Sequence, residues 1–142
     1  MNKKIRNATP TCEDGIQFRS QLERRIYKYL VQAGYIPLYE PDTIELCGPF
    51  RPSEPWYYEG EAQVTKSGLS KTVLKMTYTP DFRLDVNGVT FYIEAKGKEN
   101  DSFPIKRKLF LSWIEKQDRH IVFAEIKTIK GLQKLLKRIE SL

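Results

Sequence analysis

Apolar positions along the chain recur with two different periods. In FRSQLERRIYKYLVQAGY (residues 18–35), Leu22, Ile26, Tyr29, Leu30 and Ala33 follow helical spacing, and Gly34 supplies a natural stop. On a wheel of about 100° per residue these five form one stripe, with Glu23 at its edge, neither in the core nor on the outer face. Residues 1–17 ahead of this helix read as a loose leader. Pro41, Pro49, Pro52 and Pro55 end any regular element between residues 41 and 55. Beyond them, WYYEGEAQVT and SKTVLKMTYTPDF flank KSGL, which predicts a long hairpin around a Ser-Gly turn with exposed aromatics and lysines.

A second hairpin is specified more tightly. Asn87-Gly88 lies between alternating apolar residues and favours a two-residue turn. With those two residues as the loop, Val86 faces Val89, Leu84 faces Phe91 and Phe82 faces Ile93, giving one apolar face. Asp81 then faces Glu94 on the opposite side, and Lys96 shares that side because strand side chains alternate. Ser102 and Pro104 look like a helix start ahead of IKRKLFLSWIEKQ. HIVFAEI reads as a buried strand, and IKGLQKLLKRIESL as an amphipathic helix with Leu132, Leu135, Leu136 and Ile139 on one face. The order of elements predicts an α/β domain with a mixed central sheet flanked by helices. It spans residues 18–142 as one unit, with an insertion at about 41–77.

Charge narrows the partners. The 142 residues include 24 Lys and Arg against 18 Asp and Glu, a net charge of +6, which draws a protein toward polyanions. Two cysteines, Cys12 and Cys47, are too few for a disulfide framework or a thiolate metal site, and a reducing, cytoplasmic setting fits. The basic N-terminus has no apolar stretch behind it, so it is not a secretory signal, and no run is long enough to span a membrane. A single histidine, His120, argues against zinc or histidine-based chemistry.

The Asp81–Glu94 couple carries the chemistry. Facing carboxylates on adjacent strands sit only about 5 Å apart at Cβ, and their repulsion needs an offset. A divalent cation supplies one, and oxygen ligands suit Mg²⁺ or Mn²⁺. The carbonyl of Ala95 would add a ligand, and Glu23 would complete a second metal position. Lys96 is placed to hold a water or the phosphate as negative charge develops. Glu23 has a structural use as well, since Ser20-Gln21-Leu22-Glu23 fits a capping box. Arg19, Arg24, Lys98, Lys106, Arg107 and Lys108 are candidate DNA contacts, the last three at a helix start.

Pro80-Asp81-Phe82 followed by Glu94-Ala95-Lys96 across a hairpin is the PD-(D/E)xK signature of restriction-endonuclease-like nucleases. FRSQLE (18–23), YTPDF (78–82), IEAKG (93–97) and HIVFA (120–124) occur in the order of the phage endonuclease I family of Holliday-junction-resolving enzymes, which the chain resembles. Carried over by position, the resemblance implies an active-site set of Glu23, Asp81, Glu94 and Lys96. It further implies divalent metal, paired nicks in branched DNA and an intertwined homodimer in which the segment before the Pro-Asp strand crosses to the partner. Here that segment, residues 41–77, is longer than the family pattern and carries the additional Trp56-Tyr57-Tyr58. Two alternatives stand beside junction resolution: a nuclease of the same fold with another target, such as a restriction-type cutter or nickase, and a catalytically silent DNA-binding protein.

Overall fold

A computed structural model describes residues 10–97 and 102–142. Lys98 therefore lies outside the described residues, as do residues 1–9 of the expected leader. The rest of that leader is structured: β1 (Thr11–Glu13) pairs antiparallel with β2 (Ile16–Phe18). The turn is Asp14-Gly15, with φ of +50° and +76°. It carries the same Asp/Asn-Gly signal as the later hairpin, in strands too short to display alternation. Phe18 at its end is fully buried in the core.

Helix α1 (Gln21–Gln32) starts three residues after Phe18, the first residue of the segment expected to be helical, because Ser20 caps it. The Ser20 hydroxyl accepts from the main-chain N–H of Glu23 at 3.2 Å, one half of the expected box. Strand β3 (Leu38–Tyr39) follows. Strand β4 (Ile44–Cys47) then forms inside the proline-rich stretch expected to lack regular structure. The prolines fall outside those four residues, so its ladder donors are intact.

The expected long hairpin is replaced by smaller pieces. β5 (Tyr57–Tyr58) and β6 (Glu61–Ala62) pair around Glu59-Gly60, and isolated bridges join Phe50 to Val73 and Val64 to Ser70. β7 (Met76–Tyr78) pairs with β4, not with the Trp-Tyr-Tyr strand. Residues 48–75 therefore form an arm leaving from and returning to one two-stranded ribbon.

The Asn-Gly hairpin forms in the expected register. β8 (Phe82–Val86) and β9 (Val89–Ala95) pair Phe82 with Ile93, Leu84 with Phe91 and Val86 with Val89. Asn87 and Gly88 take φ of +50° and +78°. No atom lies within 4 Å of a Cβ built on Gly88, so the penalty for a side chain there is conformational. Gly88→Ala is expected to lower stability by about 1–2 kcal/mol in urea unfolding, with the slope of the transition unchanged.

The remaining elements are α2 (Phe103–Glu115), β10 (Ile121–Ile126) and α3 (Ile129–Glu140). Strand order in the central sheet is β10-β9-β8-β3, with β10 parallel to β9 and the other pairs antiparallel. The described residues thus form a mixed α/β fold with three helices and a four-stranded mixed sheet. Every residue of β9 is buried because both faces are covered. Phe82, Leu84, Phe91 and Ile93 pack against Ile26, Leu30, Leu132, Leu136 and Ile139 of α1 and α3. On the other face Tyr92 meets Phe110 and Phe103 of α2, with Ile44 and Tyr78 of the β4–β7 ribbon. Among the described residues no helix is long and apolar enough to cross a membrane.

Candidate active site

Asp81 sits immediately before β8, and its main-chain N–H donates to Glu94 Oε2 at 3.4 Å. The main-chain N–H of Ala95 donates to Asp81 Oδ2 at 2.8 Å, which fixes the aspartate against the neighbouring strand. Glu94 shares the α2-facing side of β9 with Tyr92, as strand alternation requires. Tyr78, at the end of β7, donates its hydroxyl to Glu94 Oε2 at 2.6 Å. Lys96, one residue past β9, points the same way. Its Nζ lies 3.8 Å from Glu94 Oε1 and 3.4 Å above the centre of the Phe103 ring. A cation over an aromatic face is held by the ring quadrupole, so Phe103 seats the ammonium without consuming its charge.

Glu23 is more enclosed than its position at the stripe's edge predicts, with 2% of its surface exposed. Tyr39 of β3 donates to its Oε2 at 2.6 Å, and the main-chain N–H of Arg19 donates to the same oxygen at 3.2 Å. The side chain thus reaches back one residue beyond the cap instead of closing the box on Ser20. Asp81, Glu94 and Lys96 are also buried, at 5%, 7% and 6% exposure. Three carboxylates and an ammonium this deep are costly unless paired.

Burial is the main force on the acids. It raises the Asp81 carboxyl well above the usual carboxylate range, and the charges of Glu94 and Glu23 push the same way. Burial likewise pushes Glu94 up to about 7, against the Tyr78 hydroxyl and the Lys96 charge, which favour the ionised form. Glu23 is raised by burial, opposed by the Tyr39 and Arg19 donors. Like charges that raise one another's protonation would be relieved by a cation held between them.

A fourth carboxylate, Glu40, escaped the sequence reading. Its main-chain N–H donates to the carbonyl of Asp81 at 2.8 Å, its φ is +48°, and its Oε2 accepts from Arg19 Nη2 at 3.1 Å. Its Oε1 is buried without a hydrogen-bond partner. Its charge adds to the repulsion on Glu23 and Asp81. A positive φ outside glycine is a local strain of the kind that gathers at functional sites. Nothing in the residue pattern around Tyr39-Glu40-Pro41 marks it.

The donor set suits a hard cation. One oxygen of each acid is tied by the protein, namely Asp81 Oδ2, Glu94 Oε2 and Glu23 Oε2, which orients the carboxylates. Among the described residues no three His, Cys, Asp or Glu side chains form a ready-made metal cage. Two carboxylates and the Ala95 carbonyl would hold an ion whose remaining ligands are water and phosphate oxygens, the arrangement Mg²⁺ favours.

The expected DNA contacts fare unevenly. Arg24 is engaged by Glu13, at 3.0 Å between Nε and Oε2, and Arg107 by Glu125, at 3.0 Å between Nη2 and Oε2. Arg19 is turned to Glu40. Each of those three guanidiniums pairs with a carboxylate and stays partly exposed. Lys106 is half-buried and Lys108 is exposed on α2. Compared with family models, curated proteins and solved structures, the chain matches none.

Proposed function

We propose that the protein is a divalent-metal-dependent DNA endonuclease with a restriction-endonuclease-like core, acting on branched DNA. The observation that supports it most is the facing of Asp81 and Glu94 at adjoining strand ends, with Lys96 seated beside them on the same face. Each residue has a task in phosphodiester hydrolysis. Asp81, Glu94 and the Ala95 carbonyl would hold Mg²⁺ or Mn²⁺. The ion, when bound, would polarise the phosphate and lower the pKa of water. Lys96 would hold the attacking water or a phosphate oxygen, where its charge opposes the negative charge that develops. Tyr78 and Tyr39 orient Glu94 and Glu23 through hydroxyls that donate to them. Burial raises both tyrosines' pKa values, so these donors keep their protons.

Junction resolution requires two cuts, and a homodimer supplies two sites most simply. The test is cleavage of labelled four-way junction, flap, mismatch, duplex and single-stranded DNA in Mg²⁺ or Mn²⁺. Paired cuts confined to the junction are expected. Metal-dependent cutting spread over plain duplex would retain a nuclease and discard the junction preference. Binding without cutting of any substrate would make this a silent DNA-binding protein.

A further inference from the structure

The arm between β4 and β7 has almost no core of its own. From Glu45 to Met76 only Ser70 is buried, while Trp56, Tyr57, Tyr58, Leu69 and Leu74 are exposed by half or more of their surface in all but Trp56, at 49%. Its longest ladders are two residues long, too little to bury such side chains. Contiguous exposed aromatics of this kind mark a binding surface.

Charge on the arm is segregated. The outgoing half holds Glu54, Glu59 and Glu61, whereas residues 62–76 hold Lys66, Lys71 and Lys75 and no carboxylate. All three lysines are exposed, and among the described residues none is in an ion pair. Arg51 is drawn to this basic half through Thr72, at 3.5 Å. The basic half continues through β7 into Tyr78, which holds Glu94, and then into Asp81. Six residues of extended chain place Lys75 within about 20 Å of the carboxylates. Interfaces between protein copies are depleted in lysine, whereas surfaces for unpaired nucleic acid combine cations along the backbone with aromatic stacking platforms.

We propose that residues 48–75 hold a nucleic-acid strand beside the cut. Lys66, Lys71 and Lys75 contact its phosphates, and Trp56, Tyr57 and Tyr58 stack on unpaired bases. The preferred substrate is therefore DNA with splayed or unpaired bases next to the scissile bond. The position of the cut rests on the nuclease reading above, whereas binding by the arm does not.

Fluorescence anisotropy in EDTA, with a labelled splayed fork and a fully paired duplex of equal length, separates the two. The triple variant Trp56→Ala, Tyr57→Ala, Tyr58→Ala is expected to weaken fork binding by about tenfold or more and duplex binding by less than about threefold. The corresponding triple phenylalanine variant should retain fork affinity, since stacking needs only the rings. Lys66→Ala, Lys71→Ala and Lys75→Ala together should weaken both DNAs and flatten the salt dependence. Unchanged fork affinity in the alanine variant would overturn the proposal. So would a shift from dimer to monomer in sedimentation with DNA affinity per protomer intact, which would assign the arm to a second copy. Failure of the whole protein to cleave DNA would overturn the nuclease reading and leave these binding outcomes legible.

Discussion

Lys96→Met is expected to slow metal-dependent DNA cleavage by about a hundred- to a thousandfold while the protein stays folded. Methionine has similar length and fills the same space against Phe103, so packing changes little. What disappears is a positive charge 3.8 Å from Glu94 Oε1, in a site where water is largely excluded. Charge opposing a developing anion acts most strongly in such surroundings, and losing one such contact costs about 3–4 kcal/mol of barrier. The loss should fall on kcat, with DNA affinity by anisotropy altered less than about threefold, because the group acts on the reacting phosphate and not along the duplex. Lys96→Arg should rescue poorly. A guanidinium is bulkier than an ammonium and spreads its charge over a plane, so it does not put a compact charge at the buried position of Nζ. Cleavage at the parent rate in Lys96→Met would remove the residue from the mechanism.

Asp81→Asn is expected to abolish cleavage and, without metal, to give a more stable protein at neutral and alkaline pH. The shape is kept, and the amide oxygen still accepts from the Ala95 N–H. The removed charge is one that, together with burial, makes ionisation of this cluster unfavourable. The sign follows from Glu94, pushed by burial from an ordinary 4.5 up to about 7. The folded state then binds protons more tightly than the unfolded chain. Its contribution to stability is fully present below about pH 4.5 and is lost as pH rises through about 7. The parent protein in EDTA should therefore be less stable at pH 8 than at pH 5, by an amount on the order of a few kcal/mol. Asp81→Asn should narrow that difference. Urea midpoints at the two pH values measure it. A parent more stable at pH 8, or a variant destabilised there, would show that the acids are structurally satisfied and need no cation. Stability gained by removing a functional group is the usual signature of a site selected for chemistry.

The parts of this arrangement that were legible in the sequence share one property: they depend on neighbours in the chain. Asn87-Gly88 selects a turn, the turn selects a register, and the register brings Asp81 against Glu94 with Lys96 on the same side. Helices α1 and α3 were likewise visible as apolar stripes, each over twelve residues. What stayed hidden depends on partners far along the chain. Glu23 is buried because Tyr39, sixteen residues away, closes over it. Glu40 enters the site through a two-residue strand and a strained φ that no periodicity announces. The pairing of Arg24 with Glu13 and of Arg107 with Glu125 spans eleven and eighteen residues, beyond what local pattern shows. The Asp14-Gly15 hairpin was passed over because three-residue strands show no alternation. The Ser67-Gly68 turn was expected to close a long ladder, yet β7 found a better partner in β4, whose Ile44 joins the α2 core.

That the Asp81–Glu94 pair exists to take a divalent cation is the claim on which the rest depends, and Mn²⁺ binding tests it most directly. Calorimetry at pH 8, above the value of about 7 to which Glu94 is pushed, should show saturable uptake in the parent protein and in Lys96→Met, and none in Asp81→Asn or Glu94→Gln. Parent protein that takes up no Mn²⁺ at concentrations up to about 10 mM, or binds it equally well in all four proteins, would contradict the account.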